Sequence, residues 1–257
     1  MAARFEVPVT ALAALAERER VGALHVTLRP EPVWLTDEER QQADREIEYA
    51  LAEAGLVDGG GRATVDVLDL LPLLTSASVE LYGWVTGDNE RTDGVLAAAR
   101  GLQALVAVRV GDVVAIREVA RDDLAEELVS ELPDVGPGGG RPCSILVDEL
   151  EAAGRSYGDR PLSRTVSDIV EVVRRPVRGS GELYAASRDE VGRYLRTEQP
   201  LHYADTDWGR YLNYTTGTGR EAELHLAPGS RQALADALRQ LAADLGQAPA
   251  RDGVVTG

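Results

Sequence analysis

Leu105–Leu132, LVAVRVGDVVAIREVARDDLAEELVSEL, and Tyr214–Leu241, YTTGTGREAELHLAPGSRQALADALRQL, carry the same order of features. Each opens with a strand-like run, turns at a glycine, and continues in a second strand-like run. Each then ends in a helix introduced by polar residues. Setting Leu132 against Leu241 places the two copies 109 positions apart. Identities are few, so the repeat is one of hydrophobic and turn pattern. Two such units predict a pseudo-symmetric α+β body whose function sits in the sheet the halves share.

Working outward, the first copy belongs to a longer meander. Ser78–Thr86 alternates and is rich in β-formers. Gly87–Gly94, GDNERTDG, reads as a polar loop, and Val95–Ala99, Leu102–Val110 and Val113–Val119 follow as strands. Turns this short cannot make parallel crossovers, so the strands pair antiparallel. The second meander reads as Gly181–Ser187, Val191–Arg196, Leu201–Asp205, Arg210–Thr215 and Ala222–Ala227. Pro228 and Ser230 open a last helix to about Leu245. Each meander ends in one helix, and Asp122 and Asp123 are expected in the first turn of the one that stops at Pro133.

Helices also precede each meander. Thr10 caps a helix from Ala11 to about Arg20, and His25–Arg29 reads as extended. Thr36–Glu39, TDEE, is a capping box whose helix runs to Gly55. Thr64–Leu71 predicts a third helix, which Pro72 should end or kink. Asp134–Pro142, DVGPGGGRP, reads as a linker. Ser144–Ala153 reads as a helix or a strand leading into one, and Ser163–Arg174 as a helix. The expected class is α+β: a central antiparallel sheet from two pseudo-two-fold related meanders, flanked by helical bundles. The expected division is one domain over 1–246, with halves 1–133 and 143–246 joined by linker 134–142. Residues 247–257 read as a disordered tail.

Composition narrows the function. The chain has 257 residues and a net charge of −16, and its 27 basic residues are all arginine. So acidic a surface repels phosphate backbones and anionic lipid, which argues against nucleic-acid and membrane-surface partners. No apolar run approaches the ~20 residues that span a bilayer. The N-terminus lacks the order of a signal peptide, and Cys143 is the single cysteine, so a cytoplasmic protein is expected.

Catalytic motifs are missing. GPGGGRP lacks the Lys-Ser/Thr end of a phosphate loop. His25, His202 and His225 have no zinc-ligand spacing. No nucleophile elbow exposes a serine, and Cys143 has no neighbouring base. Asp205-Thr206-Asp207 is the one metal-like pair. It supports an alternative reading as a metal-dependent sugar-nucleotide or small-molecule enzyme using Asp205 and Asp207. No third carboxylate accompanies the pair, so no metal and no cofactor are expected. Trp34, Trp84 and Trp208 are core residues by default and binding anchors if exposed.

FEVPVTALAAL (5–15), TDEERQQADREIEYALAEAGLVDGGG (36–61), the run from Gly94 to Ile145 and DTDWGRYLNY (205–214) together resemble the EspG family. These are cytosolic chaperones of the ESX type VII secretion systems of actinobacteria. The resemblance covers about 240 residues in order and texture, and it carries no catalytic signature. It implies a quasi-two-fold fold and a non-enzymatic role. That role is to bind a helical secretion substrate, typically a PE–PPE heterodimer, and keep it soluble for export. It also implies that the loop after the first meander strand, the sheet and the C-terminal helices engage the partner. By position the candidates are Tyr82 and Trp84 as anchors, Asp88, Asn89, Glu90 and Arg91 on the loop, and Trp208 in the second meander. A monomer or a homodimer is expected.

Overall fold

A computed structural model describes residues 4–87, 91–155, 161–189 and 191–247. The first half runs β1 (Arg4–Pro8), α1 (Val9–Arg18), α2 (Asp37–Glu53), α3 (Val65–Ser76), β2 (Val79–Thr86), β3 (Thr92–Arg100), β4 (Gln103–Val110), β5 (Val113–Glu118) and α4 (Leu124–Ser130). The second runs β6 (Cys143–Leu146), α5 (Val147–Arg155), α6 (Arg164–Val173), β7 (Val177–Arg188), β8 (Tyr194–Arg196), β9 (Leu201–Thr206), β10 (Gly209–Thr216), β11 (Glu223–Pro228) and α7 (Arg231–Gln247).

All eleven strands join one sheet, in the order β1-β5-β4-β3-β2-β7-β9-β10-β11-β6, with β8 paired to β7. Outward from the β2–β7 seam the order is symmetric. β3 answers β9, β4 answers β10, β5 answers β11, and edge strand β1 answers edge strand β6. The repeat read from the sequence is therefore two five-strand half-sheets, with α4 and α7 in equivalent places. The seam pairs Val79 with Ser187 through to Thr86 with Ser180. A Cβ on Gly83 would stand 2.1 Å from the Glu182 carbonyl oxygen, so the close approach of the two halves requires glycine there.

Strand alternation then assigns the layers. On one face α4 and α7 bury Leu124, Leu128, Leu234 and Leu238 over Leu81, Val95, Leu183, Leu201 and Leu212. On the other face α1, α2 and α3 bury Leu12, Leu15, Leu51 and Leu71 over Tyr82, Leu96, Leu105 and Ile116. Farther along that face Val166 and Ile169 of α6 cover Ile145, Tyr211 and Leu226. Each buried leucine contributes about 1.5–3 kcal/mol relative to exposure.

The Thr36 capping box forms: the Thr36 hydroxyl accepts from the Glu39 N–H at 3.4 Å, and Glu39 accepts from the Thr36 N–H at 2.8 Å. Several expected boundaries shift. α3 runs through Pro72 to Ser76. The lost hydrogen bond is outweighed because Leu70, Leu71, Leu73 and Leu74 are all buried around it. β3 begins at Thr92 rather than Val95, so pairing with β2 shortens the expected polar loop. The expected extended segment at His25 contains a 3-10 turn, Val26–Leu28. Asp122 and Asp123 lie in another 3-10 turn just before α4. Only Tyr194–Arg196 of the expected Val191 strand pairs, forming β8.

The stretch expected to be a flexible linker is pinned to β10. The Arg210 N–H donates to the Gly136 carbonyl at 2.8 Å, and the Gly138 N–H donates to the Arg210 carbonyl at 2.7 Å. The Tyr211 hydroxyl donates to the Gly139 carbonyl at 3.1 Å. A Cβ on Gly138 would lie 2.3 Å from the Tyr211 ring, so glycine serves close packing here rather than flexibility. No described helix is long and apolar enough to cross a membrane.

Candidate partner-docking site

Antiparallel pairing brings distant candidates to one end of the sheet. Thr86, the last residue of β2, pairs with Ser180, which pairs with Ala204 on β9. Two strand spacings, roughly 10 Å, therefore separate the β2–β3 connection from the β9 strand that leads into the Asp207-Trp208 turn. Arg91 ion-pairs with Asp93 at 2.9 Å at the start of β3. Asp88, Asn89 and Glu90 lie outside the described residues.

Trp208 is 43% exposed. Its backbone N–H donates to the Thr206 hydroxyl at 3.1 Å, which fixes the turn. The Arg175 guanidinium, just past the end of α6, stacks 4.0 Å from the indole centroid. The same guanidinium donates to both oxygens of Asp207, one at 2.7 Å. That hydrogen bonding holds the Asp207 carboxyl below its usual range. The result is an exposed indole braced by a cation, a stacked pair of the kind that anchors protein partners. A groove of about 620 Å³ opens beside it, between α6 and the pinned strap, lined by Arg141, Arg164, Trp208 and Tyr211 among others.

Tyr82 and Trp84 behave differently from one another. Tyr82 is 1% exposed, which corrects its expected place as an exposed anchor. It stacks on Tyr184 at 5.4 Å and meets His25 edge-on at 4.5 Å. Trp84 is half-buried and stands edge-on to both tyrosines at 6.0 Å. Tyr184 joins this aromatic cluster, and the sequence reading did not single it out. Its partner Tyr82 lies across the seam, and nothing local in the sequence signals that pairing. The Tyr184 hydroxyl donates to Glu182 at 3.1 Å, and Glu182 faces His202 at 3.8 Å. Trp84, Tyr184, Glu182 and His202 form a partly exposed strip beside the core that α1, α2 and α3 cover.

Asp205 and Asp207 do not form a metal pair. Asp205 is 4% exposed and accepts from Arg210 at 2.5 and 2.8 Å, while Asp207 is held by Arg175. Each carboxylate is committed to its own guanidinium. Among the described residues no three His, Cys, Asp or Glu side chains are grouped to hold a metal ion. Cys143 is half-buried, and burial pushes its thiol up, away from the thiolate.

Fold and site together define a pseudo-two-fold α+β protein that presents a braced aromatic surface at one end of its central sheet. The EspG family model matches residues 8–240, and the chain belongs to the EspG family. A solved structure of similar fold is the Mycobacterium tuberculosis type VII secretion system chaperone EspG5 in complex with the PE25–PPE41 dimer. It aligns at a TM-score of 0.64 and 15% identity, over 95% of this chain and 96% of that one. No curated protein matches the chain in sequence.

Proposed function

We propose that the protein is a cytoplasmic, non-enzymatic secretion chaperone. Its client is a helical type VII substrate such as a PE–PPE heterodimer, which it holds soluble until export. Membership of the EspG family carries this reading. The solved EspG5 complex supports it as a structure of the same fold with a PE–PPE dimer bound. Trp208 and Trp84 are the proposed aromatic anchors, and the 88–91 loop is the proposed polar rim. An apolar helical tip covered this way is withheld from aggregation. In this reading the two halves, 1–133 and 143–246, act as one domain, and the exposed, Arg175-braced Trp208 supports docking at that end of the sheet. The enzyme alternative loses its support because both of its carboxylates are occupied by arginines.

Co-expression with a PE–PPE pair encoded beside this chain, followed by gel filtration, tests the proposal. A soluble complex of all three chains is expected. A pair that stays insoluble or elutes alone overturns it.

A further inference from the structure

The segment leading into α2 carries the most exposed tryptophan of the molecule. Trp34 is 88% exposed, and Val33 beside it is 72% exposed. Thr36 is fixed by its capping box, so the indole sits at the base of a helix whose first turns, Asp37 to Gln42, are exposed throughout. Glu31, Asp37 and Glu38 flank it and are exposed too. Arg40 pairs with Asp37 at 3.5 Å, which leaves Glu31 and Glu38 as the collar's free charges among the described residues. The arm is thus an apolar knob in an acidic collar.

The same end of the molecule holds the complement. A pocket of about 540 Å³ lies between α1 and the following segment, with Ala13, Leu24 and Pro30 contributing apolar walls and Arg20, Arg29 and Glu17 polar ones. Arg20 is the one described non-glycine residue with positive φ, at 57°. It occupies the left-handed position that closes α1: its N–H donates to the Glu17 carbonyl, and the Val21 N–H donates to the Ala16 carbonyl. Glycine suits that position better, so arginine is kept there at a cost in backbone strain. The Arg29 Nε donates to the Leu24 carbonyl at 2.9 Å. Among the described residues neither arginine forms an ion pair with a carboxylate, in a chain where acids far outnumber bases.

We propose that Trp34 of one copy enters this pocket on a second copy, and that the exchange is reciprocal. The pocket joins apolar walls to two guanidinium groups, a combination that favours tryptophan. Glu31 and Glu38 of the arm meet a pocket where Arg20 and Arg29 outnumber Glu17, so the charges are complementary without a foreign partner. Pro30 lines the pocket of its own chain, yet Trp34, four residues on, remains exposed. A two-fold exchange is self-complementary and closes. Two indoles and their pockets bury about 600–1,000 Å², less than a stable dimer needs. The association is therefore weak and concentration-dependent.

Sedimentation velocity on the full chain from about 5 to 500 µM tests this, a range that brackets weak affinities. The mass should rise from 27.6 kDa toward twice that value. Trp34→Ala should move the midpoint up at least about tenfold. Arg20→Gly should weaken association while raising thermal stability, because it relieves the strained position and removes the cation together. Arg20→Glu should abolish pairing, and adding Glu38→Arg should restore part of it. A constant monomer mass, or a midpoint unmoved by Trp34→Ala, overturns the proposal. So does a Trp34 emission spectrum that is blue-shifted at every dilution, since the indole would then occupy its own pocket.

Discussion

The Arg210 guanidinium donates to both oxygens of Asp205, at 2.5 and 2.8 Å, in a site where the arginine is 1% exposed. The same group donates to the Pro133 carbonyl at 2.9 Å and stacks 4.5 Å from the Tyr203 ring centroid. Pro133 ends the first half of the chain and Arg210 belongs to the second, so this ion pair fastens the crossover strap to the sheet. Asp205→Ala leaves a buried guanidinium without its counter-ion and is expected to cost about 3–5 kcal/mol. Urea denaturation measures the loss. Asp205→Leu with Arg210→Met removes both charges and should recover most of it, whereas a metal-binding Asp205 would show no such coupling to Arg210.

Gly83→Ala tests the seam between the halves. The added methyl would meet the Glu182 carbonyl at 2.1 Å and the Leu183 side chain at 2.7 Å, so β2 and β7 must separate. Overpacking of this kind costs about 1–3 kcal/mol or more. A clear fall in Tm is expected. Gly59→Ala, which meets nothing within 4 Å, serves as the control.

Local signals in the sequence were sufficient for the meanders, because hydrophobic alternation and glycine turns act over a few residues. They also sufficed for the Thr36 capping box. Long-range consequences were not legible. Tyr82 reads as a candidate anchor until the β2–β7 register buries it against Tyr184, about 100 positions away. Asp205 and Asp207 read as a pair because they are neighbours in sequence, but strand geometry assigns them to different arginines. DVGPGGGRP reads as a flexible linker because glycine is ambiguous: it serves mobility or close packing, and only the Tyr211 ring beside Gly138 decides which.

His25 provides the pH dependence. Burial lowers its pKa to about 4 from an ordinary 6.5, and the charges of Arg29 and Arg188 push the same way. Its Nε2 lies 3.6 Å from Glu80, whose own pKa burial raises. The folded state keeps His25 neutral while the unfolded chain takes up a proton below about 6.5. Stability from this group is therefore present at neutral pH and lost as pH falls from 6.5 toward 4, by about 2–3 kcal/mol. Glu80 acts in the opposite sense, since its protonated folded form is favoured and that stability is lost as pH rises. His25→Gln should flatten the slope between pH 6.5 and 4 in urea titrations. Glu80→Gln should raise stability at pH 7, by removing a carboxylate that burial disfavours in its charged form.

Trp208 and Trp34 separate the two surfaces of the molecule. If the client docks where Trp208 is braced, Trp208→Ala removes an exposed indole and no core contact. Affinity for a PE–PPE pair should then fall about tenfold or more with Tm unchanged. Arg175→Ala should weaken binding less, because the indole remains and loses only its brace and the ion pair to Asp207. Rim contacts depend on salt more than buried anchors do, so the Arg175 effect should shrink between about 50 and 300 mM salt while the Trp208 effect persists. Trp34→Ala should leave client affinity intact and alter only self-association. Isothermal titration of all three variants against one client decides the matter. An unchanged affinity for Trp208→Ala would move the docking surface to the Trp84–Tyr184 strip.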